Sequence, residues 1–217
     1  MKGSKLSEKT GLILLGLLAF LFRYPITETP TGSDNFYYIS AVKAILFHGE
    51  IFWAENILSI YGLFPGTTPL GSLILASTIT EITGLSVHNY HLIHSIFLSL
   101  LSTFGFFLLS GEFTTNYKSR WFSSLAFSLA PRFLTFTLWR FSLRFSLIAL
   151  LPFFMWAILR IMNKKYGRNP KKLLTLLFIL TLLLPSLHRM GLLLPGFFLS
   201  FFVSYLLWKW QENALNR

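Results

Sequence analysis

Cysteine is missing from this chain of 217 residues, and aspartate occurs once, at position 34. The first absence excludes disulfides and thiolate metal centres. The second leaves carboxylate chemistry to Asp34 and a few scattered glutamates. Charge of either sign is sparse: Asp, Glu, Lys and Arg together make up 12% of the residues, against about 25% in a soluble domain. What the chain does have is apolar sequence. Hydrophobic residues reach 53% and the mean hydropathy is +0.60. The apolar runs recur from one end to the other, which indicates an all-α, polytopic helical membrane protein in place of a soluble domain with one anchor. The formal net charge is +11. Its Lys and Arg residues lie between the apolar runs, as topology signals do, and the charge therefore argues for a membrane and against nucleic acid.

Lys2, Lys5 and Lys9 precede an apolar stretch from Leu12 to Phe22, closed by Arg23, Tyr24 and Pro25. The stretch resembles a signal peptide in outline, but no small-x-small cleavage site follows it. It reads as an uncleaved first span with a cytoplasmic N-terminus. A polar segment then runs from Thr27 to about Pro69. Within it, residues 36–48 are helix-like, with Ser33 or Asp34 as the expected N-cap and Gly49 as the stop. Tyr38, Val42, Ile45 and Leu46 form its apolar stripe. The stretch from Pro69 to Leu85 is short for a span, is interrupted by Gly71 and carries Glu81. If it crossed the bilayer, the basic loop from Arg160 to Lys172 would fall outside, against the positive-inside rule. If it does not cross, every basic cluster falls inside.

The expected layout is therefore a single membrane domain with about six spans, near residues 10–26, 89–110, 121–138, 143–162, 172–186 and 190–208. Residues 27–88 form the first extracytoplasmic loop, with juxtamembrane helices near 36–48 and 69–85. The expected location is the cell membrane, with the functional face outside. That face receives Asp34 and Asn35, then His88, His91 and His94, then Arg140 and Arg144, then His188 and Arg189. A lone acid among cationic and neutral donors suits a phosphate-bearing, lipid-linked substrate. Arginine binds phosphate bidentately, and a carboxylate serves as base or metal ligand. Each residue also has a structural reading: Asp34 as a helix cap, Arg140 and Arg144 as headgroup anchors, His188-Arg189 as a turn. His91 and His94 have a metal-compatible spacing, with no third ligand spaced to complete a site.

Taken in order, several short motifs resemble the GT-C class of polyprenyl-phosphate-sugar-dependent glycosyltransferases, and within it the oligosaccharyltransferase catalytic subunit. They are Gly32-Ser33-Asp34-Asn35-Phe36-Tyr37-Tyr38, Phe47-His48-Gly49, Pro65-Gly66, Pro69-Leu70-Gly71, Thr83-Gly84-Leu85, and Ser124-Leu125-Ala126 with Ala130-Pro131-Arg132. The resemblance implies a sugar donor on a polyprenyl phosphate, entering from the outer leaflet. It gives Asp34 the role of catalytic residue, engaging the acceptor or holding a divalent metal such as Mg or Mn. Asn35, Tyr38, His91, Arg140, Arg144, His188 and Arg189 are the expected substrate-binding residues. The second acidic motif of that class would fall near residues 137–144, where this chain has Arg140 and Arg144 and no acid. Later spans and a soluble C-terminal domain also do not follow. A fragment, a subunit whose partner supplies the missing spans, or a reduced relative would each account for this. Two other readings stay open: a non-enzymatic scaffold or partner subunit, and a small transporter or lipid-handling protein.

Overall fold

The computed structural model describes residues 5–25, 33–49, 53–55, 63–65, 71–137, 143–162 and 171–215; within these stretches the side chains of Asp34 and some others lie outside the description. Among the described residues the chain is helical apart from one small antiparallel ribbon, β1 (Trp53–Glu55) with β2 (Leu63–Pro65). The helices in chain order are α1 (Lys5–Leu21), α2 (Ser33–His48), α3 (Gly71–Thr83), α4 (Val87–Ser110), α5 (Tyr117–Leu129), α6 (Pro131–Thr137), α7 (Leu143–Met162), α8 (Lys171–Leu187) and α9 (Leu193–Leu215). A 3₁₀ turn, Arg189–Leu192, joins the last two. Two helical stretches, Val87–Ser110 and Arg144–Met162, are long and apolar enough to cross a membrane. Leu193–Leu207 is a shorter apolar run.

Local sequence explains most of the boundaries. Ser86 sits in extended conformation and its hydroxyl accepts from the Asn89 N–H, opening α4. Asn116 does the same for α5, accepting from Lys118 and Ser119. These side chains satisfy backbone donors that have no partner in the first turn. The segment expected as one span at 121–138 is instead broken at Ala130, between α5 and α6. Pro131 has no N–H to continue the ladder, and it starts the next helix at the position where none is needed. Gly84 closes α3 with φ +69, a conformation that costs glycine little.

Side-chain contacts fix how the helices run. The Tyr117 hydroxyl donates to the Glu8 carbonyl (2.8 Å), and the Trp121 indole donates to that of Gly11 (2.6 Å), so α1 and α5 start at the same end. The C-terminal end of α4 joins them, because the Arg120 guanidinium donates to the Phe107 carbonyl and lies 4.0 Å from the centre of its ring. So does the end of α7, through an Arg160–Glu112 ion pair at 3.1 Å. Helix α8 packs along α7 in one apolar cluster, with Leu183 and Leu187, near its end, beside Ser146 and Leu150, near the start of α7, so the start of α8 lies at the basic end as well. Lys9, Lys118, Arg120, Arg160, Lys171 and Lys172 therefore collect at a single basic end. Glu112 keeps only 2% of its side-chain area exposed against 39% for Arg160. We expect Arg160→Ala to lower the unfolding midpoint measurably, because it removes an ion-pair partner from a carboxylate that water hardly reaches.

At the opposite end Arg23, 1% exposed, donates to the carbonyls of Ala19 (2.9 Å) and Ser128 (2.7 Å) and to the Ser128 hydroxyl (2.9 Å). Its guanidinium also lies 5.2 Å from the centre of the Phe133 ring. A residue expected near the outer surface is thus a buried pin between α1 and α5. Arg23→Met should cost about 1.5–3 kcal/mol, the worth of charge-assisted hydrogen bonds, read as a lower unfolding midpoint in detergent.

The consequence for topology is that α1 ends, and α4 begins, at the same end of the bundle. With 13 residues, α3 is about 20 Å long, well short of a hydrocarbon core of about 30 Å.

Candidate functional site

The end opposite the basic one is built from α2, α3, the start of α4 and the end of α8. Helix α2 buries Tyr38, Ile39, Ala41 and Val42, with Ile45 and Leu46 packed alongside, against Leu73 and Ala76 of α3 and Val87 and Tyr90 of α4. This is the helical stripe that the sequence indicated, and it seats the first-loop helix on the bundle. Tyr38 fixes the seat with polar contacts. Its phenol donates to the Ser72 carbonyl at 2.7 Å, and its ring meets His91 edge to face, centroids 4.5 Å apart. Burial first, and then the neighbouring Tyr90 phenol, push the Tyr38 phenol well above its ordinary pKa. It stays a protonated donor at any working pH.

Helix α3 is tied in turn to α8. The Ser72 hydroxyl reaches the Leu187 carbonyl at 3.5 Å. Gly71 lies so close to α8 that a Cβ there would stand 2.6 Å from the Ser186 carbonyl oxygen. His188, 6% exposed, follows directly; its N–H donates to the Leu184 carbonyl and its own carbonyl accepts from Gly191. Along α4, one turn beyond the start, Tyr90 and His94 stack with centroids 5.2 Å apart, and the Tyr90 hydroxyl lies 3.3 Å from Nδ1 of His94.

Beside this polar layer a furrow of about 390 Å³ opens between α3, α4, α7 and α8. Leu75 and Ile79 line it from α3, Leu98 and Leu101 from α4, Leu150 from α7 and Leu183 from α8; Tyr90, His94 and Ser146 are its polar members. Ser146 is 3% exposed, and its hydroxyl has no hydrogen-bond partner among the described residues.

The expected site residues divide accordingly. Asp34 lies within the first turn of α2, whose helix begins at Ser33, so neither residue occupies the cap position expected for it; the Asp34 side chain lies outside the described residues. The partial positive charge of a helix N-terminus favours a carboxylate at such a position. Asn35 is buried (1%) one turn before Tyr38, on the same side of α2, and Tyr38 meets His91 directly. His188 is buried at the end that also holds Ser72 and Gly71. Arg144 is exposed at the start of α7. Arg140 lies outside the described residues, and Arg189 is described by its backbone alone. Among the described residues no three His, Cys, Asp or Glu side chains converge as a metal site.

Three contributors were not among the residues singled out. Tyr90 could have been found from its i, i+4 relation to His94. Ser72 and Ser146 carry no signal in the sequence, because their roles depend on which helix lies opposite. No protein-family model, curated protein or solved structure matches the chain.

Proposed function

We propose that this protein is a membrane glycosyltransferase module that transfers a sugar from a polyprenyl-phosphate-linked donor to an acceptor on the extracytoplasmic face. The observation that carries the reading is the docking of α2 on α3 and α4 through Tyr38, Ser72 and His91. It holds the segment with the only aspartate against the bundle end remote from the basic residues. An orientation with the basic end inside then leaves Asp34 outside, with residues 27–88 as the first outer loop and about six crossings in all.

In the reaction, an acceptor nucleophile attacks the anomeric carbon as the bond from that carbon to the phosphate oxygen breaks. Asp34 takes the acceptor's proton, and polyprenyl phosphate leaves as an anion. Arg140, Arg144 and Arg189 are the cationic groups available to stabilise the charge growing on that phosphate. Asn35, Tyr38, His91 and His188 shape the wall. A divalent metal on Asp34 would supply Lewis acidity at the same phosphate.

The test is sugar release from radiolabelled sugar–polyprenyl-phosphate donors by the purified protein in nanodiscs. Time-dependent formation of free polyprenyl phosphate and of a labelled acceptor is the expected result. Release no faster than in protein-free nanodiscs, across donor sugars and with Mg or Mn present, would contradict it.

One observation favours a second reading, that of a partner subunit. Arg140 and Arg144 stand where the resemblance calls for a second acid, so the missing carboxylate would come from another chain. In that case transfer appears only when the partner is co-expressed, and is still lost in Asp34→Asn.

A further inference from the structure

Cations outnumber acids at the basic end, and most steeply where α7 gives way to α8. From Arg160 to Lys172 the sequence holds six cations and no acid. Arg160 keeps 39% of its side-chain area exposed beyond its pair with Glu112, whereas that carboxylate is almost fully covered. Lys171 and Lys172 are exposed in the first turn of α8. That turn has no acid either, so both lysines sit at the positive end of the helix dipole, where an added anion is stabilising.

Further along the same helix the outward face turns apolar. Phe178 is 60% exposed, Ile179 52% and Leu182 61%. They follow the lysines at two and three turns, which puts them on one face with Lys171 and Lys172. The opposite face, with Leu177, Leu180 and Leu184, is packed in the cluster shared with α7. Lys172 and Leu182 are about 15 Å apart along the axis at the helical rise, half of a hydrocarbon core of about 30 Å. A charged head and an apolar run one leaflet deep therefore lie on a single surface.

We propose that this face of α8 binds an anionic glycerophospholipid of the leaflet that the basic end meets. Its phosphate rests at Lys171 and Lys172, with Arg160 at the adjoining end of α7, and one acyl chain lies along Phe178, Ile179 and Leu182. Dense cations where a span meets the membrane surface attract anionic lipid in this way. Other occupants fit less well. A soluble acidic partner would answer the lysines and leave three large apolar side chains uncovered. A zwitterionic lipid would cover those side chains but bring a cation of its own to the lysines. The site lies at the far end of the bundle from Asp34, and it does not depend on sugar transfer.

The test titrates the purified protein in detergent with dioleoyl phosphatidylglycerol or dioleoyl phosphatidylcholine, which carry the same chains, and counts bound lipid by native mass spectrometry. The first phosphatidylglycerol should bind about tenfold more tightly than phosphatidylcholine, a difference of about 1.4 kcal/mol. Lys171→Gln with Lys172→Gln should remove that preference, and Lys171→Arg with Lys172→Arg should keep it. Both pairs change exposed positions, so the unfolding midpoint without lipid should match wild type and separate lost binding from lost fold. Phe178→Ala should weaken both lipids alike and leave the preference. Lys118→Gln removes a charge from α5 at the same end and should change nothing. Equal binding of the two lipids, a preference that survives the double glutamine variant, or one lost in Lys118→Gln would overturn the assignment. So would unweakened lipid binding in Phe178→Ala, or competition by chain-free glycerol phosphate at the concentration of the lipid.

Discussion

Asp34→Asn is expected to lower sugar transfer by about 10²–10⁴-fold, the usual worth of a positioned general base, with expression, membrane insertion and unfolding midpoint unchanged. The replacement keeps size and one acceptor oxygen but cannot take a proton. Its selectivity follows from where Asp34 sits. Helix α2 is held by Tyr38, Ile39, Ala41 and Val42, all more than nine-tenths buried, so losing one charge in its first turn costs the seat little. The helix-dipole contribution of that charge is only about 0.3–1 kcal/mol. A purely capping Asp34 would give the reverse pattern: a lower midpoint, with transfer retained by the folded fraction. Transfer measured per folded molecule decides between them. A wild-type rate in a well-folded Asp34→Asn protein removes the catalytic assignment.

Gly71→Val should give a large structural effect. Even a methyl group at position 71 would meet the Ser186 carbonyl oxygen at 2.6 Å, and that atom belongs to the backbone of α8. Neither side can yield by a rotamer change, so α3 must move off α8. Overpacking of this kind costs about 1–3 kcal/mol. The functional loss should exceed what stability explains, because the displaced α3 carries Ser72, the acceptor for the Tyr38 phenol. Transfer should fall at least about tenfold in the folded fraction, although Gly71 touches no substrate. Gly196→Ala is the control, since nothing lies within 4 Å of a Cβ there and its backbone is ordinary helix. Equal midpoints and equal transfer for the two variants would show that α3 is not held as described.

The sequence made some of this legible for identifiable reasons. Residues 143–162 read as one helix because the run from Leu143 is apolar and ends at a basic loop. The seat of α2 was readable from the spacing of Tyr38, Val42, Ile45 and Leu46. Charge placement, with the shortness of the stretch, Gly71 and Glu81, argued for a short helix between Pro69 and Leu85, and α3 covers Gly71–Thr83. Other features escaped it. The break at Ala130 was signalled by Pro131 but overridden by the apolar pattern on both sides. The burial of Arg23 was not readable, because it depends on Ser128 and Phe133 more than 100 residues away. The ribbon of β1 and β2 went unread inside a segment taken as a polar loop. The furrow was invisible for the same reason as Arg23: its walls come from four helices, and only packing brings Leu75, Phe97, Leu150 and Leu183 together.

The central claim is that one end of this bundle, the end without the basic clusters, faces outward and carries the site. A chain without cysteine allows a direct test by single substitutions. Phe36→Cys and Ile82→Cys report on α2 and α3, and Phe113→Cys and Lys172→Cys report on the basic end; all four positions are exposed. A membrane-impermeant maleimide applied to intact cells should label the first pair, and should label the second pair only after the membrane is permeabilised. Labelling of Phe113→Cys and Lys172→Cys in intact cells, with Phe36→Cys and Ile82→Cys protected, would reverse the orientation and contradict the account.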